Sequence, residues 1–220
     1  QINYLTDIYK KNFDFVIIPD HDGISGSNVI NTKGAIHYLT NKEINDSKDY
    51  LLNKIEKNKD VITLVLGGPT KDYNYSNDNM LDIFLKINKR LKEYNLQLII
   101  IPSNRTPKKT IQLAKEYFAE NCIVIDEVDK FAYLSSLALA KYIIVTCDST
   151  SMISEAALTG KPIYVAMIPP FRNDKRFEKF RNLFEKLNII KKLENKLETW
   201  NYEKLNEADR IASEIKRKIN

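Results

Sequence analysis

Cysteine, histidine, tryptophan and glycine are scarce here: two, two, one and six residues among 220. Cys122 and Cys147 cannot build the multi-bridge framework of a small secreted scaffold. With only His21 and His37 beside them they make a poor zinc set, so neither a metal nor another cofactor is expected. A reducing cytosol is the natural setting for such a chain. Long apolar runs are also missing. Stretches such as 15–18 and 98–101 fall far below the roughly 18 residues that span a bilayer. No G-x-x-x-x-G-K-[ST] or G-x-G-x-x-G pattern occurs, which removes the P-loop and the dinucleotide fingerprint. Charge of one sign is in small excess only, with 34 basic against 29 acidic residues. A net charge of +5 on so charged a chain is no nucleic-acid-binding stripe, and nucleic acid is not an expected partner.

What is present is an ordinary globular mix, 43% hydrophobic and 29% charged, with enough apolar material for a core. The chain opens on Gln1 and is read as a piece of something longer. Its middle follows one pattern: short β-branched runs end in small or polar residues, and amphipathic stretches follow. The pattern predicts strands at 61–66, 96–101, 122–125, 142–146 and 163–168. Helices are predicted over 77–94, from Pro107 onward, over 131–140, and from the Asp148 region to 159. Pro107 suits a first helical turn, and Gly160 suits a C-cap. Apolar strands alternating with helices predict an α/β fold, a Rossmann-like parallel sheet with helices on both faces.

The flanks read differently. Residues 13–19 form a further apolar strand, and 1–40 resemble the tail of a preceding domain. Residues 41–59 read as a polar linker carrying a short helix at 50–57, and 60–200 as the Rossmann-like domain. A basic amphipathic helix over 175–188 carries Phe177, Phe180, Phe184 and Leu187 on one stripe. This is ordinary core packing or, through Lys175, Arg176, Lys179, Arg181 and Lys186, a contact with an anionic membrane surface. A final helix over 202–218 carries an apolar stripe of Tyr202, Leu205, Ala208, Ile211, Ala212 and Ile215, which needs a cover.

In open parallel sheets ligands bind beyond the carboxyl ends of the strands, where loops enter helix N-termini. The richest such loop runs from Thr146 to Glu155. The hydroxyls of Ser149, Thr150 and Ser151 suit phosphate oxygens at a helix N-terminus, with Asp148 beside them as a further donor-binding candidate, or Asp148 or Ser149 simply caps the helix. Ser151 and Glu155 are four apart and share a face, which places a phosphate against hydroxyls and a ribose diol against a carboxylate. Gly67 and Gly68, with Thr70 behind them, form either a backbone approach to a ligand or a plain turn. Ser103 and Arg105 end the second strand; Arg105 pairs with a phosphate or sits on a solvated loop. His21, between Asp20 and Asp22, is a candidate general base, or an ordinary surface-loop histidine. Cys147 reads as a buried structural thiol, not a nucleophile.

Four segments in this order and spacing resemble the elongated-mitochondria family: residues 13–22 with Gly26-Ser27-Asn28-Val29, residues 66–71, residues 103–107, and residues 145–157 with Gly160-Lys161-Pro162. Plant members of that family are mitochondrial-fission factors; bacterial members have been labelled nucleoside-diphosphate-sugar epimerases. The family is similar to glycosyltransferases of the GT-B architecture, two Rossmann-like domains facing a cleft. The resemblance implies that this chain is the C-terminal, donor-binding half, with 1–40 a remnant of the N-terminal domain. It implies a nucleotide-diphosphate sugar as ligand, Glu155 on the ribose, and Ser149, Thr150 and Ser151 on the diphosphate. Gly67 and Gly68 would lie close to the donor from the opposite loop. GT-B enzymes typically need no metal. The alternative it leaves open is a protein that keeps the fold, loses the chemistry and recruits a protein partner. It further implies that 201–220 packs back toward the N-terminal part, near 13–19. Without the rest of the N-terminal domain, no transferase turnover is expected. The expected location is the cytoplasm, with a peripheral membrane contact through the basic helix.

Overall fold

The second to seventh residues of β3, Asp60–Leu66, and all seven of β4, Leu96–Pro102, are buried. The computed structural model describes residues 12–119, 122–194 and 196–219. Burial on both faces explains the unbroken apolar spelling of these strands, since neither face meets water. They lie side by side in a six-stranded sheet with β5 (Cys122–Val124), β6 (Ala140–Thr146), β7 (Ile163–Ala166) and β8 (Ile190–Lys192). The order is β5-β4-β3-β6-β7-β8, and every neighbouring pair is parallel. Successive residues of β4 serve opposite layers: Leu98 and Ile100 join the main core cluster, Ile99 and Ile101 a smaller one with Leu51, Val61 and Ala132. Helices cover both faces, as the sequence pattern predicts.

Local chemistry sets the helix ends. In α3 (Asn77–Tyr94), the Ser76 hydroxyl accepts from the Asn79 N–H at 3.3 Å, and Asn95 ends the helix in the left-handed conformation, φ 50°. Met80, Ile83, Phe84, Ile87 and Leu91 make its buried stripe. Pro107 precedes α4, Lys108–Phe118. Asp129 caps α5, Lys130–Leu139, by accepting from the Phe131 and Ala132 N–H groups at 2.8 and 3.0 Å. Ser149 caps α6, Thr150–Ala157, and Gly160 beyond it sits at φ +75°.

Several expected bounds shift. The stretch 41–59 folds as two short helices, α1 (Asn41–Asp46) and α2 (Asp49–Leu52), not one at 50–57. A Thr40–Glu43 capping box starts α1, and the segment is docked: Leu51 is fully buried and its N–H donates to Ser135 Oγ of α5 at 3.0 Å. The N-terminal strand is β1, Val16–Pro19, paired in parallel with β2, Val29–Thr32. Sequence reading misses β2 because it follows glycine-bearing chain and buries only Ile30 and Thr32. The edge strand β8 is missed likewise, since it spells Ile-Lys-Lys and buries one residue.

The basic helix is α7, Lys175–Lys186, with Phe180 and Phe184 buried. The last helix, α8, begins at Glu207 and runs to Ile219. Of its expected stripe Leu205 and Ile211 are buried, whereas Ala212 is exposed. It meets the N-terminal segment through β2: the Lys33 N–H donates to Glu207 Oε2 at 2.9 Å and Arg210 to Asn31 O at 2.6 Å.

Candidate functional site

The strand order reverses between β3 and β6, and open α/β sheets place ligands at such a switch point. The two loops that leave it are tied together. The Gly67 N–H donates to Thr146 Oγ1 at 2.8 Å, and the Gly68 N–H to Asp148 Oδ2 at 3.0 Å. Arg105, from the loop after β4, donates to the same Asp148 oxygen at 2.9 Å and to Gly68 O at 2.8 Å. The Tyr75 hydroxyl lies 2.5 Å from Asp148 Oδ1 and 2.8 Å from Thr146 Oγ1. Burial, then the Asp148 charge beside it, hold that phenol protonated far above the ordinary range. A carboxylate removed from water thus has its charge met by a guanidinium and its lone pairs by three groups from two loops.

This network gives Gly67 and Gly68 a different reason from ligand approach. A Cβ on Gly67 would lie 2.1 Å from Asp148 Oδ2, and one on Gly68 2.1 Å from the Arg105 carbonyl oxygen. The glycines let the chain approach itself. Arg105 is not simply solvated, because its fork holds Asp148 and Gly68. Thr70 and Ser103 serve their own turns: Thr70 Oγ1 accepts from the Asp72 and Tyr73 N–H groups, and the Ser103 N–H donates to Thr106 Oγ1.

The start of α6 is more open. Ser149 Oγ accepts from the Met152 N–H at 3.4 Å, so Ser149 is the cap. The N–H groups of Thr150 and Ser151 lie in the first turn, where helix geometry supplies no partner. Ser151 is exposed, and Glu155 one turn on is partly exposed. Glu155 Oε2 accepts from the Tyr133 hydroxyl at 2.7 Å. Burial pushes the Glu155 carboxyl above its usual range, while the Tyr133 bond and the nearby His37 work against that rise. Residues 33–39 run alongside, stitched to α6 by the Ala35 N–H to Ser154 Oγ at 2.9 Å.

His21 departs from the surface-loop expectation. It is 9% exposed, in a 3-10 turn over Asp20–Asp22, and its ring meets Phe180 of α7 edge-on at 5.6 Å. Burial lowers its pKa below 6.5, against the pull of Asp22. Its contacts are on α7, not on the α6 start. Cys147 is buried, takes the Ile168 N–H at 3.3 Å, and its thiol is pushed up to about 11 by burial. That is an inert, structural thiol.

Sequence reasoning missed Tyr75, Tyr133 and His37, and also a clasp of Tyr73, Asp174 and Arg181. Arg181 donates to the Tyr73 hydroxyl at 2.9 Å and to Asp174 at 2.8 Å, and Tyr73 also bonds Asp174. The clasp joins the loop after β3 to α7, helped by the Phe171 N–H to Asp72 O at 2.8 Å. A tyrosine in a loop carries no signal of its partner.

A hollow of about 210 Å³ lies elsewhere, where Lys33 meets Glu207 and Arg210. Its buried carboxylate, Glu207, is already held by the Lys33 N–H and by Arg210, so the carboxyl edge is the better site. Among the described residues no group of three or more His, Cys, Asp and Glu is arranged to hold a metal ion. No described helix is long and apolar enough to cross a membrane.

A family model described as Mitochondrial fission ELM1 matches residues 7–219. An uncharacterised protein of Rickettsia prowazekii is 30% identical over 202 residues, 89% of this chain and 57% of its own length. The mitochondrial fission protein ELM1 of Arabidopsis thaliana is 23% identical over 200 residues, 87% of this chain and 45% of its own. The chain therefore spans about half the length of these curated relatives. Among solved structures, MurG of Acinetobacter baumannii aligns with a TM-score of 0.50 at 12% identity, over 86% of this chain and 50% of that one. A UDP-GlcNAc 2-epimerase of Methanocaldococcus jannaschii aligns with a TM-score of 0.50 at 15% identity, over 96% and 64%. At such identities the likeness is one of fold, a Rossmann-like sheet of the GT-B kind.

Proposed function

This chain belongs to the mitochondrial fission ELM1 family, and from that premise we propose that its carboxyl edge binds a nucleotide-diphosphate sugar of the UDP type. The observation that carries the reading is the placement of Ser151 and Glu155 on one face of α6, beside the switch point. The diphosphate sits at the open N–H groups of Thr150 and Ser151, where the helix dipole favours negative charge. Glu155 accepts from the ribose diol. Asp148, Gly67, Gly68 and Arg105 do not touch the ligand in this reading; they fix the floor on which α6 starts. Calorimetric titration with UDP and UDP-sugars tests it, and absence of saturable binding at millimolar nucleotide rejects it.

A second reading, a recruitment protein that keeps the fold without turnover, is supported by the position of His21. Its ring packs on α7 rather than at the α6 start, so no described histidine other than His37 lies near Glu155. In that reading the exposed tip of Phe171, Arg172, Lys175 and Lys179 meets an anionic membrane. Sedimentation with phosphatidylserine vesicles tests this tip; equal recovery of native chain and a Phe171→Ser, Lys175→Ser variant counts against it.

A further inference from the structure

Glu155 has two oxygens in unequal situations. Oε2 takes the Tyr133 hydroxyl at 2.7 Å, whereas Oε1 accepts no hydrogen bond from the described residues. Tyr133 itself is anchored through its backbone: its N–H donates to Asp129 O at 3.0 Å, and its carbonyl accepts from Ser136 Oγ at 2.7 Å. The helix that carries it is fixed at both ends, by the Asp129 cap and by Lys161 donating to Leu137 O and Ala138 O. A phenol partly withdrawn from water gains from an acceptor, and the acceptor here is the carboxylate one helix away.

We propose that Tyr133 is a positioning residue for ribose recognition: its hydroxyl holds one oxygen of Glu155 so that the other is presented to the ribose diol. The inference rests on the proposed ribose role of Glu155 and adds the group that makes that role selective. A glutamate held in one rotamer before binding loses less freedom when the sugar arrives. Burial disfavours the charged carboxylate and raises its pKa, and the Tyr133 bond works against that rise. His37 is near enough to act on the Glu155 charge, and its Nδ1 is buried and unpartnered.

The test compares UDP with 2′,3′-dideoxy-UDP by calorimetry on the native chain, Tyr133→Phe and Glu155→Gln. The native chain is expected to prefer UDP by on the order of tenfold, the usual worth of a hydrogen bond to a charged group. In Tyr133→Phe the preference falls to about twofold or less, while dideoxy-UDP affinity stays within about twofold of native. The unchanged dideoxy affinity also shows that the variant is folded. Retained preference in Tyr133→Phe, or equal loss for both nucleotides, overturns the positioning role. No preference in the native chain, or full preference in Glu155→Gln, overturns the ribose reading itself and the inference with it.

Discussion

Asp148 Oδ2 accepts the backbone N–H of Gly68 at 3.0 Å, across 80 positions of sequence. That bond closes the switch point of the sheet, and most of the local residue choices answer to it. Because the Asp148 side chain is fully buried, its partners matter more than surface ion pairs do.

Removing the carboxylate is therefore costly. Asp148→Ala leaves the Gly68 N–H without an acceptor, the Tyr75 hydroxyl with Thr146 Oγ1 alone and Arg105 with only the Gly68 carbonyl. A loss of about 2–4 kcal/mol is expected, read as a lower urea midpoint at unchanged slope. Tyr75→Phe removes one member only and costs about 1–2 kcal/mol. A loss below about 0.5 kcal/mol for Asp148→Ala would mean that the network does not hold the loops.

Gly67→Ala forces a methyl onto that same carboxylate. The required shift strains the loop and costs about 1–3 kcal/mol. In the double variant Gly67→Ala, Asp148→Ala the two losses are less than additive, because the clash has gone. Strict additivity would show that the crowding is not with Asp148.

Lys161 lies against the last carbonyls of α5, and burial lowers its pKa to about 8, with Lys48 and Lys204 adding to the fall. A base whose folded pKa lies below its unfolded value destabilises the fold while charged. This cost is fully present below about pH 8 and is relieved as pH rises from 8 toward 10.5. The relief for a fall from 10.5 to about 8 amounts to about 3 kcal/mol. Lysine Cε carbon NMR checks it directly: one lysine titrating near 8, absent in Lys161→Met, is the expected result.

His21 gives a second pH signature. Its folded pKa lies below 6.5, so the native state binds fewer protons than the unfolded chain in the window beneath that value. Stability falls as pH drops from 6.5 into this window, and His21→Phe flattens the slope. Glu155 acts with the opposite sign: its raised pKa makes stability fall as pH climbs above about 4.5. Denaturation of native and variant chains from pH 7.5 to 5 separates the histidine contribution. Parallel curves would show that His21 titrates normally.

How much of this was legible in the sequence follows from what each element buries. Strands β3, β4 and β6 are covered on both faces and so spell continuous apolar runs. Strands β2 and β8 sit at margins, bury one or two residues each, and left no pattern to read. The loop from Thr146 to Glu155 was legible because hydroxyls and a carboxylate cluster at helical spacing. The roles within it were not, since they depend on partners far away in the chain. Asp148 looked like a donor-binding residue or a cap until Tyr75, 73 residues earlier, and Arg105, 43 earlier, closed on it. Glycine next to glycine looked like room for a ligand, and the room is filled by Asp148 and Arg105.

The central claim is that a nucleotide diphosphate binds at the start of α6. Amide chemical-shift mapping during a UDP titration tests it most directly. The account predicts saturable shifts centred on Thr150, Ser151 and Glu155, with smaller ones at Gly67 and Gly68, and their loss in Glu155→Gln at the same UDP concentration. Shifts centred instead on Lys33, Glu207 and Arg210, or none at millimolar UDP, would contradict it.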